Sequence, residues 1–160
     1  MRRKDKAIQD RDEIEGIIRS SLVCRLALSD DNRPYVVPLS FGYKDDTLYF
    51  HSAAEGRKVE ILKKNSTVCF EFDVDHEVVQ GEKACKWSMK YRSVIGFGKA
   101  SFVDDPEEKR KGLDAIIEHY SGDSLDVPEA ALENIVVIKV EIESMTGKQS
   151  GYSDSWNRAY

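Results

Sequence analysis

From Leu48 to Lys58 the chain reads LYFHSAAEGRK: a strand-like run ending in His51, then small residues, a glycine and two cations that open a helical pattern. Ser52-Ala53-Ala54-Glu55 has the S-x-x-E spacing of a capping box. A helix starting there would present free N–H groups and a partial positive charge, which together favour an anion. Arg57 and Lys58 fall in the first turn, the end where cations are normally unfavourable. A phosphate would neutralise both, and Gly56 would let the backbone approach it closely. The alternative is a surface turn with two solvated cations.

A second group lies in WSMKYRSVIGFG (87–98). Arg92 and Ser93 interrupt a strand that is otherwise apolar or glycine, so Arg92 either takes the solvated face or points at the same anion. Trp87 and Tyr91 could stack on a flat ligand or belong to the core. Cys69, His76 and Cys85 have no usual zinc spacing, and no metal site is expected. His119 reads as a surface residue. Gly96-Phe97-Gly98 lies within a strand and is not a dinucleotide fingerprint.

The elements that must position these residues are mostly strands. Asp10-Arg11-Asp12-Glu13 caps a helix over 10–20 with Ile14, Ile17 and Ile18 on one face. Alternation predicts strands at 22–29, 34–43 (interrupted by Pro38), 47–52, 67–74, 89–103 and 135–148. A short helix follows Lys58, a polar loop spans 75–86, and Asp105-Pro106 opens a helix stopped by Ser121-Gly122. Leu113, Ile116, Ile117 and Tyr120 form its apolar face. Pro38 marks an edge, a bulge or an opened ladder. About six strands with short connections and no βαβ series predict a mainly β fold, a small antiparallel barrel with short helices.

Composition sets outer bounds. The 160 residues are 41% hydrophobic and 33% charged, with a net charge of −5. That suits a globular domain and argues against a general nucleic-acid binder. There is no run of 18 apolar residues, so no membrane span is expected. No apolar segment follows the charged start MRRKDKAIQDRDEIE, so no secretory signal is expected either. Three cysteines without CxxC spacing suggest a reduced, cytoplasmic setting, with Cys24 and Cys69 buried and Cys85 exposed.

RPYVVPLSFGY, LYFHSAAEGRK and WSMKYRSVIGFGKA, in that order and spacing and with the ending ESMTGK, resemble the pyridoxamine 5′-phosphate oxidase-like superfamily of FMN-binding split barrels, in its nitroimidazole-resistance branch. The resemblance implies one domain over residues 1–148 with a tail at 149–160. It implies a six-stranded, Greek-key-like split β-barrel that acts as a homodimer with FMN at the interface. It places the FMN phosphate at Ser52, Arg57 and Lys58, with Ala53 among the cofactor-binding residues. Val37, Pro38, Leu39 and Ser40 would run beside the flavin ring, their backbone at its polar edge. Trp87, Tyr91, Arg92 and Ser93 would supply further flavin contacts. His51 would lie near the flavin and could donate a proton. The implied activity is an FMN-dependent oxidoreductase passing electrons from a small donor to a small acceptor, such as a nitroaromatic. Ser40 and Ser93 depart from the lysine and glutamine of true pyridoxamine phosphate oxidases, which places vitamin B6 oxidation in doubt. The competing expectations are a non-catalytic flavin-binding or flavin-sensing protein, and a barrel that takes haem or a deazaflavin instead.

Overall fold

The computed structural model describes residues 3–123 and 135–152. In chain order the elements are β1 (Ala7–Ile8), α1 (Arg11–Ser20), β2 (Cys24–Asp30), β3 (Arg33–Leu39), β4 (Gly42–Lys44), β5 (Thr47–Ser52), α2 (Arg57–Lys64), β6 (Thr67–Val79), β7 (Ser88–Val103), α3 (Pro106–Ser121) and β8 (Val136–Ser150). The class is mainly β, as expected. Among the described residues there are eight strands rather than six, because β1 is added and the expected 34–43 strand is two. The chain forms two compact units, one of Leu22–Phe70 with Gly96–Ser144, the other of Met1–Ser21, Glu71–Ile95 and Met145–Tyr160.

In the larger unit, β2 and β3 make an antiparallel hairpin in register Cys24↔Leu39 through Asp30↔Arg33. Its turn holds Asp31 and Asn32 at φ 48° and 66°, a left-handed pair that aspartate and asparagine tolerate and that matches strand twist. β4 pairs with β5, and β5 with β8, both antiparallel. The strand order ends at β3. Pro38 sits within β3 opposite Arg25, so the expected interruption there is corrected. At an edge its missing N–H costs little. The break comes two residues later, at Ser40-Phe41. Phe41, Leu48, Phe50, Phe70, Ile138 and Val140 form a fully buried core.

α3 begins as its sequence dictates: Asp105 Oδ1 accepts from Glu108 N at 2.8 Å, and Pro106 occupies the first turn. It ends at Gly122, φ 76°, where a left-handed C-cap suits glycine. Leu113 and Ile116 pack with Tyr49, Val103 and Val137. His119 is half-buried with its ring 4.3 Å from that of Phe41, which corrects the surface assignment.

In the smaller unit, Asp10 caps α1 by accepting from Asp12 N, and Ile14, Ile17 and Ile18 are buried as the periodicity predicts. β1 pairs with β8 at Ile8↔Gly147, and Gly147 leaves room for Ile8 and Ile14. The expected loop at 75–86 is instead strand as far as Val79. Asp75 sits mid-strand at φ 57°, and the polar residues after it hide the strand from a hydrophobicity pattern. The last strand continues to Ser150, two residues past its predicted end. Residues 153–160 of the expected tail lie outside the described residues.

The glycines of β7 mark close approach rather than flexibility. A Cβ at Gly96 would enter the ring of Phe70, and one at Gly98 would meet the Glu141 carbonyl. Phe70 is fully buried, so the ring cannot retreat. Gly96→Ala is expected to destabilise the fold by about 1–3 kcal/mol, read as a lowered denaturant midpoint with an unchanged slope.

Candidate functional site

The predicted phosphate turn lies in the larger unit, but it is built differently from a capping box. Ser52 is the last residue of β5, paired with Val136. The N-cap of α2 is Gly56, at φ 125° and ψ 165°, and no side chain caps it. The expected capping box over 52–55 is thereby corrected. The helix starts where a glycine-specific backbone lets the chain turn and where Val59, Ile61 and Leu62 can be buried. The first backbone bond into the helix is Glu60 N to Gly56 O, 3.1 Å. The N–H groups of Arg57, Lys58 and Val59 therefore lack intrahelical acceptors, as geometry requires at a helix start.

Two cations flank these donors. The Arg57 guanidinium stands 4.9 Å over the Tyr35 ring of β3, a contact that holds the helix start beside the strand carrying Val37, Pro38 and Leu39. Tyr35 was not among the sequence candidates; its side-chain alternation with Val37 and Leu39 on β3 was the available signal. Lys58 is half-buried, and burial alone pushes its ammonium below the ordinary lysine range. Burial disfavours the charged ammonium, and a nearby anion would favour it. His51 and Ala53 are exposed and Ser52 half-buried; Val37 and Leu39 are half-buried, while Pro38 and Ser40 are exposed. A separate cavity of about 380 Å³ is lined by Ala54, Val59, Phe102, Val103 and Val136 among others. No predicted site residue lines it.

The other four candidates lie in the smaller unit. Trp87 is 53% exposed. Tyr91 is half-buried, with Lys148 Nζ 5.3 Å from its ring, and Ser93 is half-buried. Arg92 is buried, so it does not take a solvated face. Its Nη1 donates to Asp75 Oδ2 at 2.7 Å, and its guanidinium lies 4.0 Å over the Tyr152 ring. Tyr152 Oη in turn donates to the Asp75 carbonyl at 2.9 Å. Sequence reasoning missed Asp75 and Tyr152. The burial of Arg92 was readable, because i, i+2 alternation puts it on the same face as Val94.

His76 Nε2 lies 2.6 Å from Asp73 Oδ2. Among the described residues no group of histidine, cysteine and acidic side chains could hold a metal. Cys24 is buried and Cys85 exposed as expected, while Cys69 is half-buried. No helix among the described residues is long and apolar enough to cross a membrane.

The described residues make a mainly β, antiparallel fold in which a strand-to-helix turn carries Arg57 and Lys58 beside an uncapped helix start. Residues 10–149 match the family model described as pyridoxamine 5′-phosphate oxidase, and the chain belongs to that family. Among solved structures it is similar to a Bacteroides thetaiotaomicron VPI-5482 protein, provisionally described as a 5-nitroimidazole antibiotic resistance protein. The two are 42% identical, with 89% of this chain and 86% of that one covered and a TM-score of 0.80. The flavocytochrome Anf3 of Azotobacter vinelandii has the same fold at 19% identity, covering 95% of this chain and 72% of that one (TM-score 0.80). So does the FAD and heme binding protein of Mycobacterium smegmatis, at 20% identity, covering 92% and 74% (TM-score 0.81). An uncharacterised curated protein of Rhizobium meliloti (strain 1021) is 30% identical over 61 residues, 38% of this chain and 40% of that protein.

Two outcomes are expected. Inorganic phosphate should raise the depressed Lys58 pKa, read from its side-chain methylene shifts in an NMR titration. Because the folded pKa is lowered, the free protein gains stability as pH rises from that value to the ordinary lysine value, and bound phosphate should remove the gain. Arg92→Ala removes the guanidinium that bonds the largely buried Asp75 carboxylate. It should cost about 3–5 kcal/mol, seen as a lowered melting temperature.

Proposed function

We propose that this chain binds FMN and works as an FMN-dependent oxidoreductase that delivers electrons to small acceptors, nitroaromatics among them. The observation that carries the reading is the uncapped start of α2 beside a desolvated Lys58. The chain's 42% identity to a protein described in terms of 5-nitroimidazole resistance supports the choice of acceptor. The residues fit the group. Arg57, Lys58 and the first-turn amides would hold a phosphate dianion by charge and hydrogen bonds. The backbone of Val37, Pro38, Leu39 and Ser40, in an edge strand that ends at Leu39, would offer polar groups to the ring's polar edge. Bound FMN would supply the redox chemistry.

His51 is exposed at the end of β5, one residue before Ser52. Its role in this reading is to hold or deliver a proton as electrons arrive. Ile95 and Phe97 are each about half exposed on β7. Solvent-facing apolar residues on a strand support a homodimer with the flavin at its interface. The donor in this reading is a reduced pyridine nucleotide and the setting is cytoplasmic. A haem reading has less support, since His76 is engaged with Asp73.

The test mixes purified protein with FMN, desalts it and records the visible spectrum, for wild type and Lys58→Glu. Wild type should keep the flavin bands. Lys58→Glu should lose FMN affinity at least tenfold, since reversing a charge at the phosphate costs more than about 1.4 kcal/mol. Equal retention would remove the anion site. Faster reoxidation of reduced flavin by a nitroaromatic than by oxygen alone supports an enzyme; equal rates support a flavin carrier.

A further inference from the structure

Tyr120 lies in the last turn of α3, and its ring is retained there with 44% exposure. Its Oη accepts from Phe41 N at 3.1 Å and donates to the Leu22 carbonyl at 2.9 Å. These two partners are not arbitrary. The β2–β3 hairpin runs in register from Asp30↔Arg33 to Cys24↔Leu39. Continued by two residues, the same register would bring Leu22 opposite Phe41. A ladder bond from Phe41 N to Leu22 O would then close the next rung. The Tyr120 hydroxyl stands in the place of that bond, taking the donor on one side and the acceptor on the other. It satisfies both backbone groups while keeping the strands apart by one oxygen. The ring of His119 packs 4.3 Å from Phe41 and 4.7 Å from Tyr120. Gly42 brings the start of β4 against the α3 backbone at Ala115. The end of α3 thus grips the chain where it leaves β3.

We infer that Tyr120 is a positioning residue for flavin binding: its hydroxyl wedges the open end of the β2–β3 hairpin and so sets the backbone of Leu39 and Ser40 for the ring. The inference rests on the reading that residues 37–40 face that ring. It assigns Tyr120 to the ring and not to the phosphate, which makes it separable from the anion site. Without the hydroxyl the hairpin can zip by one more rung, drawing Ser40 and Phe41 toward Leu22.

The test compares riboflavin, FMN and inorganic phosphate on wild type, Tyr120→Phe and Lys58→Ala, with binding followed by flavin fluorescence quenching and phosphate competition. Tyr120→Phe keeps the ring, and circular dichroism checks the fold. It should weaken riboflavin and FMN by the same factor, about three- to tenfold for lost hydrogen bonding. It should also shift the bound flavin's absorption bands and leave phosphate affinity unchanged. Lys58→Ala should weaken FMN and phosphate but not riboflavin. Wild-type affinities and spectrum in Tyr120→Phe overturn the inference and leave the functional reading standing. A wild type that takes up neither flavin overturns both. If Tyr120→Phe does not fold, fluorotyrosines at position 120 keep the hydroxyl and vary its hydrogen-bond strength. Riboflavin affinity that is flat across that set overturns the inference; affinity that follows it supports the wedge.

Discussion

The backbone at Gly56 decides how the candidate site is made. At φ 125° it takes a conformation that side-chain-bearing residues avoid, and it turns the chain from β5 into α2 with no capping side chain. The amides of the first helical turn are left as donors, and the same turn carries Arg57 and Lys58. Three positive contributions then converge: the helix end, an exposed guanidinium braced on Tyr35, and a half-buried ammonium. Each is modest alone. Together they concentrate positive charge at one turn, which is what the proposed phosphate site requires.

The surrounding elements can be read as support for that turn. β5 is clamped between β4 and β8, and α3 packs its Leu113 and Ile116 against Tyr49 of β5, so the strand feeding the turn is rigid. The end of α3 holds the chain after β3 through Tyr120, which ties the position of residues 37–40 to a helix rather than to a loop. In the smaller unit a buried ion pair, Arg92 with Asp75, is covered by Tyr152. Desolvation offsets most of the attraction in such a pair, whereas removing one partner is costly. Its geometry anchors the residues just after β8.

Much of this was legible in the sequence where local chemistry and burial agree. The aspartate caps of α1 and α3, the glycine after α3 and the six residues of β5 are all local signals reinforced by apolar periodicity. The order and spacing of three segments, RPYVVPLSFGY, LYFHSAAEGRK and WSMKYRSVIGFGKA, carried the family. What was not legible depended on choices between local patterns of equal strength. S-x-x-E at Ser52 is a sound capping signal, yet β5 needs Ser52 as a ladder residue opposite Val136, and the sheet wins. In sequence Pro38 marks an edge, a bulge or an opened ladder, and the strand order selects the edge, with no interruption of β3. The burial of Arg92 was readable from alternation with Val94, but its partners were not, because Asp75 lies on another strand and Tyr152 in a stretch with no periodicity. The Tyr120 wedge needed a hairpin register that only the folded chain supplies.

The central claim is that the start of α2 receives the phosphate of a flavin nucleotide. The most direct measurement is a backbone amide NMR titration with FMN and, in parallel, with riboflavin, which lacks the phosphate. The account predicts that the amides of Arg57, Lys58 and Val59 shift with FMN and stay in place with riboflavin, while residues 37–41 respond to both. Equal shifts at 57–59 with both ligands, or none with FMN, would contradict it.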